Sequence, residues 1–401
     1  NGTSAKFTNP RGITIDGTNL YLADYGNHKI RKINLRGTVN AGVVLHNLDD
    51  EIDVTVNLAS SDAGEATVSP ATLTFTENNW NTDQTVTVTG VNDTDRDRHQ
   101  DYKISLSAGD QYTHNPEVST FAGSGSSGST NGTGTSAKFK EPYGIASDGN
   151  NLYVTDFGNH LIRKIVISSG EVTTFASGFS HPKGIVIVGS NLYVVDTNNH
   201  RIRKIVISSG AVSTLAGSGS QGSADGTGTA ATFHYPFGMA TDGTNLYVAD
   251  SSNHKIRRIV ISTGVVTTLA GSGSSGSADG TGTSARFNSP GHITIVGNNL
   301  YVADRNNHKI RKITISTGVV TTLAGSTSSG SADGTGTAAR FKYPYGITSD
   351  GTNLYVADRD NHKIRKIVIS TGVVTTLAGS ETSGSTDANG GLAFFKNPIG
   401  L

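Results

Sequence analysis

The chain has 401 residues with 50 Gly, 34% hydrophobic and 16% charged residues, a composition typical of a loop-rich folded protein. It contains no Cys, which excludes disulfides, thiolate zinc sites and cysteine nucleophiles. Acidic and basic residues are equal in number at 32 each, which disfavours a dedicated nucleic-acid binder, and no apolar run is long enough to span a membrane. The chain starts at Asn1 without Met and shows no signal peptide, so we expect a processed or trimmed N-terminus.

A segment of 13 residues recurs six times along the chain. It reads YLADYGNHKIRKI from Tyr21 and YVADRNNHKIRKI from Tyr301. Each copy carries one Asp and one His, and the six pairs are Asp24 and His28, Asp156 and His160, Asp196 and His200, Asp250 and His254, Asp304 and His308, and Asp358 and His362. The last four Asp residues are 54 positions apart, a fixed period that indicates a solenoid, a propeller or an array.

Each unit reads as four short β-rich runs separated by turn residues. In the fifth copy the runs are HITIV (292–296), NLYVAD (299–304), KIRKITIS (309–316) and GVVTTLAG (318–325). β-Branched and aromatic residues fill the runs, and no stretch sustains a helical apolar period. Four strands per unit, repeated radially, predict the blades of a β-propeller.

The motif Pro-x-Gly-Ile, followed by Asn-Leu-Tyr-Val-Ala-Asp-x-x-Asn-His-x-Ile-Arg, resembles the NHL repeat. Asn159, His160 and Leu161 complete the triplet for which that repeat is named. The resemblance covers nearly the whole chain outside one insertion. It implies an all-β fold, a six-bladed β-propeller with four-stranded blades, to which the six copies correspond.

The first copy contains an insertion. The step from Asp24 to Asp156 is 132 residues, 78 more than the period, which places the extra segment at 38–115, between the third and fourth strands of the first blade. Its runs TVSPATLTFTENNWNTDQTVTVTGVNDTD and DYKISL resemble the Calx-β-like and related Ig-like sandwich modules of bacterial surface proteins. The predicted domains are therefore the first part of blade 1 (1–37), an inserted β-sandwich (38–115), and the rest of the propeller with the first strand of a further repeat (116–401).

The insert is acidic, with 13 Asp and Glu against three Lys and Arg, so its net charge of −10 leaves +10 on the propeller. The sequence DTDRDRHQD resembles the acidic stretch through which some Calx-β-like modules bind calcium. The candidate ligands are Asp93, Asp95 and Asp97, joined from the other end of the module by Asp49, Asp50, Glu51 and Asp53. Crowded carboxylates repel one another and a divalent cation relieves that repulsion. Calcium is therefore the candidate cofactor, and a stalk module without metal is the alternative.

The repeated Asp and His have two interpretations. They converge on a central metal or substrate site, as in propeller lyases and lactonases, or they build the blade, with Asp closing a turn and His bracing the following strand. We favour construction, because a catalytic site needs asymmetry among blades. His181, His234 and His292 lie outside the repeat and show no ligand pairing.

The basic runs also have two interpretations. Lys29, Arg31, Lys32 and their counterparts form either a positive face, as in the NHL propellers that bind RNA, or a solvated strand edge. We favour the solvated edge, since no exposed aromatic residues are interleaved with the cations for base stacking.

The loops between blades contain two motifs that match functional patterns without the expected structural context. GSGSSG (123–128, 271–276) matches a nucleotide-binding pattern, but no helix follows, so we predict flexible Gly/Ser loops. Asp225, Asp279 and Asp333 in ADGTGT are turn formers or calcium ligands, and we favour turns.

No nucleophile with its base is recognisable, so we predict no catalytic residue and no enzyme activity. The predicted function is a non-enzymatic extracellular or cell-surface scaffold for adhesion, matrix binding or self-assembly. Its partners would be a protein or polysaccharide surface, or a second copy of the chain paired through residues 386–401. These residues repeat the N-terminal segment, which is also consistent with truncation of a longer chain or with closure of a blade. The alternatives are a lyase or lactonase with a metal in the central channel, and a nucleic-acid or polyanion binder on a basic face.

Overall fold

The computed structural model describes residues 10–15, 19–34, 54–60, 66–75, 87–90, 104–108, 118–380, 382 and 398. The chain divides into two compact units, one formed by Asn1–Asn34 with Glu117–Leu401 and the other by Leu35–Pro116. Within the described ranges every regular element is a β-strand or a short 3₁₀ turn. No helix there has the length and apolar character needed to cross a bilayer.

The first unit contains six antiparallel sheets, each built on a meander of four strands, and four of the sheets have a fifth strand of two residues at the outer edge. The strands of blade 1 are β1 (Pro10–Ile15), β2 (Asn19–Asp24), β3 (Lys29–Asn34) and β9 (Val118–Ala122). Those of blade 2 are β10 (Gly132–Thr133), β11 (Pro142–Ser147), β12 (Asn151–Asp156), β13 (Leu161–Val166) and β14 (Glu171–Ala176). Those of blade 3 are β15 (Pro182–Val188), β16 (Asn191–Asp196), β17 (Arg201–Val206) and β18 (Val212–Ala216).

The same order continues to the end of the described residues. Blade 4 has β19 (Gly226–Thr227), β20 (Pro236–Thr241), β21 (Asn245–Asp250), β22 (Lys255–Val260) and β23 (Val265–Ala270). Blade 5 has β24 (Gly280–Thr281), β25 (Ile293–Val296), β26 (Asn299–Asp304), β27 (Lys309–Thr314) and β28 (Val319–Gly325). Blade 6 has β29 (Gly334–Thr335), β30 (Pro344–Ser349), β31 (Asn353–Asp358), β32 (Lys363–Val368) and β33 (Val373–Ala378).

Apolar side chains from neighbouring blades form the core. Five of the six described clusters each combine residues of two adjacent blades, as Tyr21 and Ile30 of blade 1 combine with Phe139 and Leu152 of blade 2. A four-stranded sheet cannot bury both faces by itself, so each blade needs its neighbours. The protein is a six-bladed, all-β propeller.

The Gly/Ser loops are more structured than the sequence predicts. Their Gly-Thr dipeptides form a two-residue strand that pairs with the outer strand of the following blade, as Gly132 pairs with Val172. The Gly123 N–H also donates to the Gly134 carbonyl oxygen at 3.1 Å. Describing these loops as flexible was therefore wrong, because backbone hydrogen bonds hold them along the blade edge. Blade 3, which follows the short loop 176–184, has no added strand in its described sheet.

The insertion interrupts blade 1 between its third and fourth strands, which pair directly from Ile30 with Ala122 to Ile33 with Val118. Two antiparallel sheets are described in the second unit. Their strands are β4 (Val54–Ser60), β5 (Ala66–Ser69), β6 (Thr72–Phe75), β7 (Thr87–Gly90) and β8 (Ile104–Ala108). The candidate calcium ligands Asp49, Asp50, Glu51, Asp53, Asp93, Asp95 and Asp97 lie outside the described residues, as do residues 386–401 apart from Pro398.

Candidate functional site

The repeated Asp is a junction inside its own blade. In blade 5 the Asp304 Oδ1 accepts the backbone N–H of Asn288 at 2.8 Å, and its Oδ2 accepts the Asn307 amide at 2.8 Å. The Arg311 guanidinium donates to the same Oδ2 at 2.8 Å. Asp304 is fully buried. Its carboxylate therefore joins the incoming loop, the 3₁₀ turn and the third strand of one blade.

The same junction recurs around the described propeller. The residues whose backbone N–H donates to the Asp are Lys140, Ser180, His234, Asn288 and Lys342. The amides that donate to the second oxygen are those of Asn27, Asn159, Asn199, Asn253, Asn307 and Asn361. The Asp residues so engaged are Asp24, Asp156, Asp196, Asp250, Asp304 and Asp358, and each is buried.

The repeated His joins one blade to the next. It ends the 3₁₀ turn in the left-handed region, with φ of 56° at His308, where His is better tolerated than most residues. The His308 Nδ1 accepts the backbone N–H of Tyr343, the residue before the first strand of blade 6, at 3.1 Å. His28, His160, His200 and His254 bond in the same way to Glu141, His181, Tyr235 and Ser289. The prediction that His braces the following strand was therefore wrong, because the bond leaves the blade.

His362 completes the set and has the same left-handed conformation, with φ of 57°. Burial lowers the pKa of His200, His254, His308 and His362, since the protonated ring loses hydration. A neutral ring is the form whose Nδ1 can accept a backbone N–H.

The second basic residue of each run is an internal anchor. Arg311 is fully buried, and its second amino group donates to the Ala278 carbonyl at 2.9 Å and to Asp279 Oδ1 at 2.7 Å. Its guanidinium also lies 5.1 Å from the ring centroid of Phe287. Arg163, Arg257 and Arg365 are equally buried and pair with the Asp of their own blade. Treating the basic run as a solvated edge was wrong for these arginines.

The loop aspartates take part in the same anchors. Asp225, Asp279 and Asp333 each form an ion pair with a buried Arg and accept hydrogen bonds from Thr268, Thr322 and Thr376. Their oxygens are thus bonded to the outer strand of the blade. In the part of the chain that the structure describes, no three His, Asp or Glu side chains are grouped so as to hold a metal ion.

Side chains that differ between blades meet at the propeller axis. In blade 2, Pro142 pairs with Asp156 and Ile145 with Val154, so Tyr143 and Gly144 form a β-bulge at the start of the inner strand. A bulge changes the direction of a side chain relative to the sheet. The residues after the conserved Pro in the six blades are Arg11, Tyr143, Lys183, Phe237, Gly291 and Tyr345.

Aromatic rings from alternate blades form the centre of this end of the axis. The Tyr143 and Phe237 ring centroids are 5.8 Å apart, and those of Phe237 and Tyr345 are 5.1 Å apart, both pairs edge-to-face. The three residues come from blades 2, 4 and 6 and are at most 7% exposed. Side chains from non-adjacent blades can touch only where all the blades converge, so these rings lie at the propeller axis.

Cations from the other three blades lie between the rings. Arg11 is 4.9 Å from the Tyr143 centroid and 5.9 Å from that of Tyr345. Lys183 Nζ is 4.1 Å from Phe237 and 5.9 Å from Tyr143. Arg305 is 5.3 Å from Tyr345 and 6.0 Å from Phe237. We call these six residues, Arg11, Tyr143, Lys183, Phe237, Arg305 and Tyr345, the axial ring.

Blade 5 supplies its cation from a different position. Its inner strand reads Pro-Gly-His-Ile, so Gly291 contributes no side chain where the other blades have one. Arg305, from the 3₁₀ turn of the same blade, fills that place between Phe237 and Tyr345. His292 follows Gly291, and burial lowers its pKa to about 4, so this imidazole is neutral at physiological pH.

The charges of the axial ring affect one another. Desolvation, followed by repulsion from Arg11 and Arg305, lowers the pKa of Lys183 to about 7. Burial is the largest of the influences that raise the pKa of the Tyr143 hydroxyl well above its usual value. Beside the ring, Arg359 is 3.5 Å from Asp360, and Tyr25 lies 4.1 Å from the Arg11 guanidinium. The axial ring therefore places several positively charged side chains next to buried aromatic rings.

This arrangement was not predicted from the sequence, in which no interleaving of aromatic and basic residues was recognised. A signal was nevertheless available, because five of the six residues after the repeated Pro are large and comprise Arg, Lys, Phe and two Tyr. Variation at one position within an otherwise uniform repeat indicates a place where the blades do different work. The contribution of Arg305 had no such signal, since it depends on the shift of glycine in blade 5.

Comparisons with known proteins agree with the blade architecture. The family model described as the NHL repeat matches residues 139–165 and 179–205. NHL repeat-containing protein 2 from Bos taurus is 29% identical over 336 residues, covering 79% of this chain and 40% of that protein. Protein SUPPRESSOR OF QUENCHING 1, chloroplastic, from Arabidopsis thaliana is 31% identical over 202 residues, covering 46% of this chain and 19% of that protein. The chain thus spans less than half the length of either relative.

A crystal structure of a protein of unknown function from Bacteroides thetaiotaomicron superposes over 99% of this chain and 94% of that one, with a TM-score of 0.53 and 20% identity. A likeness at this identity shows the fold alone.

Proposed function

From the premise that the chain is a six-bladed propeller with NHL repeats, we propose that it is a non-enzymatic binding scaffold that works outside the cell or on its surface. The observation that carries the proposal is the use of the repeated polar residues. Asp304, Asn307, His308 and Arg311 all bond to backbone or to one another within the blade framework. Residues engaged in this way hold blades together and are not free to take part in chemistry.

The differences among blades support binding rather than catalysis. They are concentrated in the axial ring, where three cations lie against aromatic side chains that contact one another. A metal-dependent lyase or lactonase would need anionic or imidazole ligands directed to the axis. Lys183 and Arg305 would instead repel a divalent cation there.

The basic faces of the blades give little support to nucleic-acid binding. Arg163, Arg257, Arg311 and Arg365 are buried in ion pairs and cannot contact a phosphate backbone. The Tyr143, Phe237 and Tyr345 rings are also too buried to stack with bases. Protein or polysaccharide surfaces, and a second copy of the chain, are therefore the proposed partners. The extracellular location rests on the resemblance of the insert to surface-protein modules.

The test compares binding with turnover. The purified chain is incubated with beads of a neutral glucan, a uronate polymer and a fibrous matrix protein, and both the retained protein and the size of each polymer are measured. We expect saturable retention on at least one surface with no change in polymer size. Shortened polymer or an unsaturated sugar product would contradict a non-enzymatic role. Absence of retention on all three, with a monomer in solution, would contradict a scaffold for these surfaces.

A further inference from the structure

We propose that the axial ring is a binding site for an oxyanion group, a phosphate, sulfate or carboxylate, carried by a small ligand. This inference rests on the proposed binding function and identifies the chemistry that one site of the scaffold recognises. The cations of the axial ring differ from the buried anchoring arginines of the blades in the acceptors available to them.

The anchoring arginines have their acceptors within the protein, as Arg311 has Asp304, Asp279 and two carbonyl oxygens. The side chains of Lys183 and Arg305 have no hydrogen-bond or ion-pair partner among the described residues and contact aromatic faces instead. The buried Arg11 Nε has no acceptor within the same part of the chain, a property that it shares with the Nε atoms of the anchoring arginines. Lys183 and Arg305, which lie beside Arg11, therefore keep donor groups available.

Carboxylates near the ring serve other residues. Glu141 interacts with the Tyr25 hydroxyl, and Asp360 pairs with Arg359 at 3.5 Å. The charges on Arg11, Lys183 and Arg305 consequently repel one another, which is one reason why the pKa of Lys183 is low. An anion placed among them relieves that repulsion.

A buried hydroxyl adds a neutral donor to the site. Tyr143 is 2% exposed, and its hydroxyl lies beside the Arg11 guanidinium and the Tyr345 hydroxyl, which both influence its pKa, without satisfying hydrogen-bond geometry with a described residue. A buried hydroxyl without a partner costs roughly 1–3 kcal/mol, which a ligand oxygen would recover. An oxyanion accepts hydrogen bonds from guanidinium, ammonium and hydroxyl groups alike.

The geometry favours a compact ligand. Arg11, Lys183 and Arg305 are partly exposed, whereas the rings that separate them are buried. A ligand thus meets charged groups around the axis and no open aromatic face. The net charge of +10 outside the insert also attracts anions over a longer range.

Calorimetric titration of the full chain with inorganic phosphate, sulfate and malonate tests the inference and distinguishes tetrahedral oxyanions from carboxylates. We expect one site per chain for at least one probe. Lys183→Met and Arg305→Met should each weaken binding by about tenfold or more, since each removes a charge-assisted hydrogen bond. Lys204→Met, which removes the same charge from blade 3 away from the axis, should change the affinity by less than about twofold.

The unaltered chain provides a second readout that does not depend on how the variants fold. Sulfate keeps its charge between pH 6 and 8, while Lys183 loses its proton near pH 7. Sulfate should therefore bind about tenfold more weakly at pH 8 than at pH 6, with proton uptake by the complex. Lack of saturable binding by all three anions overturns the inference, as does an equal loss in Lys204→Met. If surface retention persists while anion binding is absent, only the oxyanion inference fails. If a polymer is cleaved, the proposed function fails.

Discussion

Asp304 and His308 lie on the same 3₁₀ turn and fasten two different stretches of chain. Asp304 accepts the N–H of Asn288, where the chain enters blade 5, at 2.8 Å. His308 accepts the N–H of Tyr343, where the chain enters blade 6, at 3.1 Å. One turn thus fixes the entrance of its own blade and of the next, which gives a physical reason for the pairing of Asp and His in all six copies.

This relationship predicts the effect of replacing the histidine. His308→Ala removes the bond between blades 5 and 6 and places a residue without a polar side chain at a φ of 56°. We expect a loss of about 1–3 kcal/mol in the free energy of unfolding, measured by chemical denaturation. His308→Asn tolerates the left-handed conformation better and should lose less. Equal losses would show that backbone conformation contributes nothing at this site.

The buried arginines allow a comparison between blades. Arg311→Met leaves the Asp304 carboxylate buried without its cation and should cost about 3–5 kcal/mol. Arg203 of blade 3 is 15% exposed and pairs with Asp196 at 3.2 Å, but the short preceding loop gives it no second Asp. Arg203→Met should therefore destabilise the protein less when both variants are unfolded in urea. A larger loss in Arg203→Met would contradict the importance of the loop aspartate.

The inner strands predict a steric effect. Gly144 lies against the carbonyl oxygen of Lys183 in the next blade, and an added Cβ would also be 3.1 Å from the Thr155 hydroxyl. Gly144→Ala should lower the free energy of unfolding by about 1–3 kcal/mol, because backbone must move to admit the methyl group. Gly291→Ala, one position earlier in the inner segment of blade 5, would have its nearest neighbour 3.4 Å away and serves as the control, with a much smaller effect expected in the same assay.

The histidine bonds also predict how stability depends on pH. The pKa values of His200, His254, His308 and His362 are lowered by burial, so the unfolded chain binds more protons below its pKa of about 6.5. The stability that these neutral histidines contribute should be fully present above that pH and should decrease as the pH falls through it. Thermal melts from pH 8 to 6 can follow this change. Asp360 and Lys342, which face His308 and His362, act in opposite directions on their pKa values.

The buried carboxyls of the repeated Asp limit the range of that experiment, since burial also raises the pKa of Asp156 and Asp250. Burial raises the pKa of Asp304 and of Asp358 to about 6, so the folded chain takes up protons there and the trend opposes that of the histidines below pH 6. His308→Asn removes one imidazole and should show a smaller decrease in melting temperature between pH 8 and 6. An unchanged slope would mean that the inter-blade histidines do not control this transition.

Features that depend on neighbouring residues could be predicted from the sequence, whereas features that depend on distant contacts could not. The run NLYVAD and the turn residues of each repeat predict strand, turn and strand, because these choices depend on neighbours within one blade. The buried position of Arg311 was missed because its partners Asp279 and Ala278 come from the preceding loop, about 30 residues away. A basic residue in a strand usually lies at a solvated surface, and only the folded loop reverses that expectation.

The sequence by itself determined the all-β class, the six units and the place of the insertion, since each is written in a repeat of fixed length and in its interruption. Only the tertiary structure decided that Arg11, Lys183 and Arg305 meet Tyr143, Phe237 and Tyr345 at the axis. The physical reason is ring closure. It brings together side chains separated by whole blades, at the one place where the repeat no longer requires the same residue six times.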